Sequence, residues 1–141
     1  WLAWAVTSMC SAVRLRDTGG VYFVPRTTLP VWRSVVQAMR AASEHIMCEI
    51  PAMRSEEAVA AVLDAVQQEA EAEMAGMLKE LMAGTLGVRA LATRSRRCES
   101  MRAKLRGYGE LMGRALPAVQ QQIENTSAMV AAAALQAAEG A

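Results

Sequence analysis

SEEAVAAVLDAVQQEAEAEMAGMLKELMAGTLG, residues 55–87, runs directly into VRALATRSRRCESMRAKLRGYGELMGRAL, residues 88–116, and the fold turns on reading these two segments together. Ser55 ahead of Glu56 and Glu57 is a helix start: a capping hydroxyl, then carboxylates against the positive end of the helix dipole. Val59, Leu63, Val66, Ala70, Met74, Met77 and Leu81 recur about once every 3.7 residues, the period of a nearly straight helix. Carried to Ala83, that helix is about 43 Å long. Gly84-Thr85-Leu86-Gly87 reads as a reverse turn. From Val88, the residues Cys98, Met101, Leu105, Tyr108, Met112 and Ala115 alternate by three and four, the spacing of a heptad seam.

The charges of the two segments oppose each other. Residues 55–83 carry seven acidic side chains and one basic, whereas residues 84–116 carry eight basic and two acidic. Glu69, Glu73 and Glu80 flank the first stripe; Arg97, Arg102 and Lys104 flank the second. Folded back as an antiparallel hairpin, the helices set acid against base. A surface pair contributes only ~0.2–1 kcal/mol, so charge selects register while Leu, Val and Met supply stability. Pro117 kinks the helix or restarts it. Beyond it, Val119, Ile123 and the Ala-rich stretch to Ala138 predict a last helix, frayed at Gly140. Val62, Leu78, Met82, Leu91, Leu111 and Leu116 lie off the main seams and require a further cover. Either the last helix folds back over them or a second subunit does. Gly107, Gly109 and Gly113 each cost about 1 kcal/mol relative to Ala inside a helix, so they mark a close crossing or a break near Tyr108.

Outward from this pair, residues 1–52 read as a small head. Leu2, Ala5, Val6 and Met9 have helical spacing, giving a short helix over residues 1–10. The period then becomes two: Val13 and Leu15 alternate with Arg14 and Arg16, and Val21 and Phe23 with Tyr22 and Val24. Between them, Asp17-Thr18-Gly19-Gly20 offers an Asp that bonds its own turn and a Gly for positive φ, so the segment is a β-hairpin. Pro25 ends the second strand. Thr27 or Thr28 caps the next helix, with Pro30 in its first turn and an apolar face of Trp32, Val35, Val36 and Met39. Ile46, Cys48 and Ile50 alternate with Met47 and Glu49, predicting a third strand stopped by Pro51. A hairpin alone is marginal, so the Trp32 helix must cover the sheet. The expected fold is therefore α+β, mostly α: a head over 1–52 with a small antiparallel sheet and a packed helix, and a long helical hairpin or three-helix region over 53–141.

The stretch from Val13 to Pro25, V-R-L-R-D-T-G-G-V-Y-F-V-P, resembles a family of uncharacterised prokaryotic and phage proteins that carry such a hairpin, then a Trp-containing helix, then a long charged helical part. The matching positions are Arg14, Arg16, Gly19, Gly20, Val21, Tyr22, Val24, Pro25 and Trp32. The resemblance implies no known activity and transfers no catalytic residue.

Composition narrows the function classes. Of the 141 residues, 53% are hydrophobic and only 4% aromatic, with ten Met, a mixture suited to helix–helix contacts. A net charge of +1 gives no global case for nucleic acid. Cys10, Cys48 and Cys98 are sparse and unpaired in spacing, which fits free buried thiols in a reducing, cytoplasmic setting. The most apolar runs, Trp1 to Val6 and Met129 to Ala138, are far short of the ~20 residues that span a bilayer. Trp1 in place of an initiating Met points to a fragment with something N-terminal missing.

Candidate chemistry is thin. His45 and Cys48 have HxxC spacing, with Cys10 and Cys98 as further zinc donors, but on a strand His45 and Cys48 point to opposite faces. Cys98 beside Arg97 is a candidate low-pKa thiol, yet it sits at an apolar seam position. Gly19-Gly20 precedes a strand and no Lys-Ser/Thr, unlike a phosphate loop. The sequence therefore predicts no enzyme, no metal, no cofactor and no evident small-molecule substrate. The leading expectation is a non-enzymatic structural or interaction protein that homo-oligomerises through Val59, Leu63, Val66, Met77, Leu81, Met101, Leu105, Tyr108 and Met112. The alternative is a nucleic-acid-binding accessory protein using Arg14, Arg16, Arg94, Arg96, Arg97, Arg102, Lys104 and Arg106.

Overall fold

The computed structural model describes residues 2–16 and 18–139. The turn bond expected of Asp17 and the fraying expected at Gly140 lie outside the described residues. The chain forms two compact units, Trp1–Ala65 and Val66–Ala141.

In the first unit, α1 (Leu2–Trp4) passes into a π-helical turn, Ala5–Met9. The Thr7 hydroxyl donates to the Ala3 carbonyl at 2.9 Å, the type of back-bond that loosens a regular ladder. Ser11, at φ +49°, turns the chain into β1 (Val13–Arg14), which pairs antiparallel with β2 (Tyr22–Phe23) in the register Val13↔Phe23 and Arg14↔Tyr22. Leu15 extends the pairing by one bond, its N–H donating to Val21 at 3.0 Å, and Gly19 supplies the positive φ of the turn at +88°. Pro25 follows the second strand closely, and a 3₁₀ turn, Arg26–Thr28, leads into α2 (Leu29–Ala42). The cap differs from expectation. Thr28 occupies the N-cap position but makes no capping bond; its hydroxyl donates to the carbonyls of Cys10 (2.7 Å) and Pro25 (3.0 Å), tying α2 to the end of the π-turn. Ala5, Val6, Cys10, Ala12 and Val35 form the buried centre, with Leu2, Tyr22, Val24, Trp32 and Met39 packed around it. A hairpin with two ladder residues per strand depends on this cover.

No third strand exists among the described residues. Residues 43–55 run without helix, turn or bend, and Ile46, Ile50 and Met53 are among the most exposed large apolar side chains described. The alternation at Ile46–Ile50 is that of a strand, but periodicity supplies no ladder partner. Instead the segment is held to α2: Glu49 pairs with Arg33 at 3.1 Å, and Arg40 donates to the Met47 carbonyl at 3.5 Å.

Next, α3 (Glu56–Met82) begins where Ser55 accepts the Ala58 N–H at 3.2 Å. The Glu57 carboxyl, bonded to its own backbone N–H and to Ser55, is held below the usual carboxylate range. Val66, Ala70, Met74 and Met77 are buried, and Leu81 is half-buried. Residues 83–87 connect to α4 (Val88–Met112), which buries Leu91, Cys98, Met101, Leu105, Tyr108 and Met112. Helix α4 runs through Gly107 and Gly109 and stops at Gly113, so Ala115 lies past the seam it was expected to extend. Pro117 restarts the chain as α5 (Pro117–Glu139), whose Val119, Ile123, Thr126 and Val130 are buried as α5 packs along α4. The last helix thus lies on α4, but it does not cover all the off-seam residues: Leu91 is buried, whereas Met82 and Leu111 remain exposed. Thr126 keeps its hydroxyl satisfied on the Gln122 carbonyl at 2.9 Å.

The stop at Gly113 explains Gly109. With Gly113 in the left-handed region at φ +72°, both its N–H and that of Arg114 (3.0 Å) converge on the Gly109 carbonyl. This folds the Arg114 carbonyl back over Gly109, where an added Cβ would lie 3.1 Å from its oxygen; nothing lies within 4 Å of a Cβ added at Gly107. Gly107→Ala is therefore expected to stabilise by about 1 kcal/mol, raising the melting temperature by roughly 3–5 °C. Gly109→Ala is expected to forfeit that gain because the terminal turn must shift. Thermal unfolding followed by circular dichroism compares the two.

Candidate interaction site

Three ion pairs join the second half of α3 to α4. Glu80 meets Arg94 at 2.8 Å, Glu73 meets Arg97 at 3.2 Å, and Glu69 meets Lys104 at 2.7 Å. The partners step backwards along α3 as they step forwards along α4, which is antiparallel pairing in one register. The three differ in strength. The Arg97 side chain is 57% exposed, so its pair is a rim contact of small worth. The Lys104 side chain is 10% exposed and its ammonium donates to both Glu69 oxygens, at 2.7 and 2.9 Å. Low local polarity strengthens such a charge-assisted bond and makes it costly to leave half-made.

Between these pairs the seam is apolar. The Cys98 S–H points at the Met77 sulfur, 3.7 Å away. Burial pushes the Cys98 thiol up; Arg102 acts in the other direction but does not reverse it. Arg97, the neighbour that suggested an activated thiol, is committed to Glu73. Cys98 is therefore a protonated seam residue. The Tyr108 phenol is likewise pushed well above its ordinary value, first by burial and then by the nearby Glu69 charge.

The sequence-predicted helix-contact residues Val59, Leu63, Val66, Met77, Met101, Leu105, Tyr108 and Met112 are buried within one chain. The basic run divides in two. Arg94, Arg97 and Lys104 are spent on α3, whereas Arg96, Arg102 and Arg106 have no ion pair among the described residues. Arg89, on the same helix, belongs with this second set, though Glu99 and Glu110 share the helix with it. In the head, Arg14 lies 5.6 Å from the Tyr22 ring centre and donates to its hydroxyl at 3.1 Å, while Arg16 is exposed.

Sequence periodicity missed the outer face of α5. Between Glu124 and Glu139 there is no charged residue. On the side away from Val119, Ile123 and Val130, this stretch presents Ala128, Ala131, Ala132, Leu135 and Ala138, all exposed, with Leu135 at 68%. The signal was available: a surface helix whose solvent side is as apolar as its core side breaks the amphipathic rule. A second exposed apolar set, Ile46, Ile50 and Met53, lies in the head, next to a groove of about 290 Å³ lined by Trp32, Val36, Arg40, Met47 and others.

Cys10 and Cys98 are buried, but Cys48 is exposed, against the expectation of buried thiols throughout. No group of three or more His, Cys, Asp or Glu side chains among the described residues is placed to hold a metal ion. No helix among them is long and apolar enough to cross a membrane.

Removing the Glu69 charge takes from a nearly buried ammonium the carboxylate that accepts two of its hydrogen bonds. Glu69→Gln is expected to lower the unfolding free energy by about 1–3 kcal/mol, and Glu73→Gln by less than about 1 kcal/mol. Urea denaturation of the two variants separates a pair that fixes register from one on the rim.

No curated protein and no solved structure matches the chain. One family of unknown function, DUF6744, matches residues 4–139. The match covers the head hairpin and all the long helices, and the chain belongs to that family.

Proposed function

We propose that the protein is a non-enzymatic, cytoplasmic structural or interaction protein that self-associates through its long helices, with the outer face of α5 as the contact. The observation that carries this reading is the uncharged, exposed surface from Ala128 to Ala138, on a helix whose opposite side is already packed on α4. The apolar seams of the hairpin are buried within one chain, and α5 presents a continuous uncharged, exposed stretch, whereas the exposed apolar residues of α3 and α4 are the separate Met82, Val88 and Leu111 near their ends. Alanines let two helix backbones approach closely, and Leu135 fills the hole between small side chains of a facing helix. A second α5 suits this face because neither copy brings a charge that the contact would strip of water. Spare exposed apolar area of this kind marks an association surface.

Sedimentation across a concentration range tests the proposal. The wild-type mass is expected to rise with concentration. Leu135→Glu and Ala131→Glu are each expected to return the monomer with helix content unchanged by circular dichroism, since both positions are exposed. A compact wild-type monomer at every concentration overturns the reading.

A second reading is favoured by one observation: Arg89, Arg96, Arg102 and Arg106 on α4 have no carboxylate partner among the described residues. These α4 arginines, and separately Arg14 and Arg16 of the head hairpin, are the cations available to a nucleic-acid-binding accessory protein. That reading predicts affinity falling steeply with salt, with a log–log slope of about −0.9 per phosphate neutralised on duplex DNA. It also predicts loss of binding on charge reversal at Arg96 and Arg106, but little loss at Arg97, which is paired. Absence of any gel shift with single- or double-stranded probes at low salt eliminates it.

A further inference from the structure

The stretch from Glu44 to Ala52 combines three features that no other part of the described chain shares. No helix, turn or bend interrupts it. Two of its odd positions are held to α2: Met47 is half-buried in the groove beside Trp32 and Val36, and Glu49 is paired with Arg33 at 3.1 Å. Its even positions face solvent: Ile46 is 91% exposed, Ile50 85%, and Cys48 between them is exposed as well. The segment is thus tethered to a helix through Met47 and Glu49, while Ile46, Cys48 and Ile50 are bare.

We propose that residues 44–52 pair with the same segment of a second copy of this chain, as an antiparallel two-stranded ribbon centred on Cys48. The occupant follows from the symmetry of the segment. Ile46-Met47-Cys48-Glu49-Ile50 is a palindrome of apolar residues about Cys48 on its bare face. Two-fold pairing about Cys48 sets Ile46 of each copy against Ile50 of the other, with the two Cys48 residues opposite each other. Other centres do worse. Centring on Met47 sets Glu44 against Ile50, and centring on Glu49 brings two carboxylates face to face, which is destabilising in cross-strand pairs. In the Cys48 register Glu49 lies opposite Met47 and remains neutralised by its own Arg33. The main chain fits the same register. The Met47 carbonyl is engaged by Arg40, so the ladder bonds fall to Ile46, Cys48 and Ile50. Pro51 then turns its missing N–H away from the partner, the one orientation a strand tolerates. A few exposed apolar side chains per copy bury less than the ~800 Å² per partner of a standard interface, so the pairing is weak and concentration-dependent. It uses a different surface from the α5 contact.

Cross-linking through Cys48 with a short bismaleimide tests the pairing, carried out in the Leu135→Glu chain so that helix-mediated association does not contribute. Cys10 and Cys98 are buried, and Cys48→Ser supplies the background. The expected result is a cross-linked dimer whose yield rises with concentration and drops at least tenfold in Ile46→Glu alone and in Ile50→Lys alone. Mixing those two variants is expected to restore it, because the introduced carboxylate of one chain meets the introduced ammonium of the other only in the Cys48 register. Cross-linking no greater than the Cys48→Ser background overturns the proposal. So does equal yield in wild type and Ile46→Glu, or a mixture that gives no more dimer than the single variants.

Discussion

The nearly buried ammonium of Lys104, held by both oxygens of Glu69, is the constraint on which the helical unit depends. Apolar seams built from Val, Leu and Met are permissive: a one-heptad slip still sets hydrophobe against hydrophobe. The Lys104 pair is not permissive. A slip of seven residues along α3 would set Lys104 against Val62 or Gly76, neither of which offers a carboxylate. Burying that charge without one costs more than the slip recovers in packing. The more exposed pairs at Arg97 and Arg94 follow the register that Lys104 imposes. Packing therefore holds the two helices together, and one partly buried pair says where.

Fixing the register has a consequence for function. Each cation used to align α4 on α3 is withdrawn from any external anion, and the side chains left over are interleaved with Glu99 and Glu110. A basic run that looks dense in one dimension becomes, on the helix, a paired flank and a diluted outer face. The same accounting applies to the apolar residues. Val62 and Leu91, surplus to the main seams in sequence, are buried, whereas Met82 and Leu111 of the same set stay exposed. Demand for an external partner moves to residues with no intrachain neighbour.

What was legible in the sequence was whatever depends on local period and charge order. The heptad alternation from Cys98 to Met112, the Ser55 start and the acid–base complementarity needed no tertiary information. Neither did the hairpin, because Gly19 and Pro25 act on their own backbone. What was illegible depended on a contact between distant residues. Thr28 has the composition of a cap, yet it serves Cys10, eighteen positions earlier. Gly109 looked like a helix breaker and is instead the floor under the Arg114 carbonyl. Residues 46–50 have the alternation of a strand, but a strand is completed by a neighbour that alternation cannot supply. Arg33 and Arg40 hold the segment on α2 instead. The outer face of α5 escaped for the opposite reason: in an Ala-rich helix the apolar pattern runs all round and marks no side as inward.

The described chain encloses Met74 and Ile123 completely while leaving Ile46 almost wholly in water. That contrast is informative because the folded units do not need Ile46. The head centre is closed by Val6, Cys10, Ala12 and Val35, and Met47 and Glu49 attach the segment to α2. A polar residue at 46 or 50 would satisfy the fold equally well and would lower the hazard that an apolar, unpaired extended segment carries. Exposure of this kind is a liability to the monomer and an asset only to an assembly. The same argument applies to Leu135 on α5, where a lysine or glutamate would improve solubility at no cost to the packing of Val130. The two proposed contacts use different residues, so pairing through one would leave the other free.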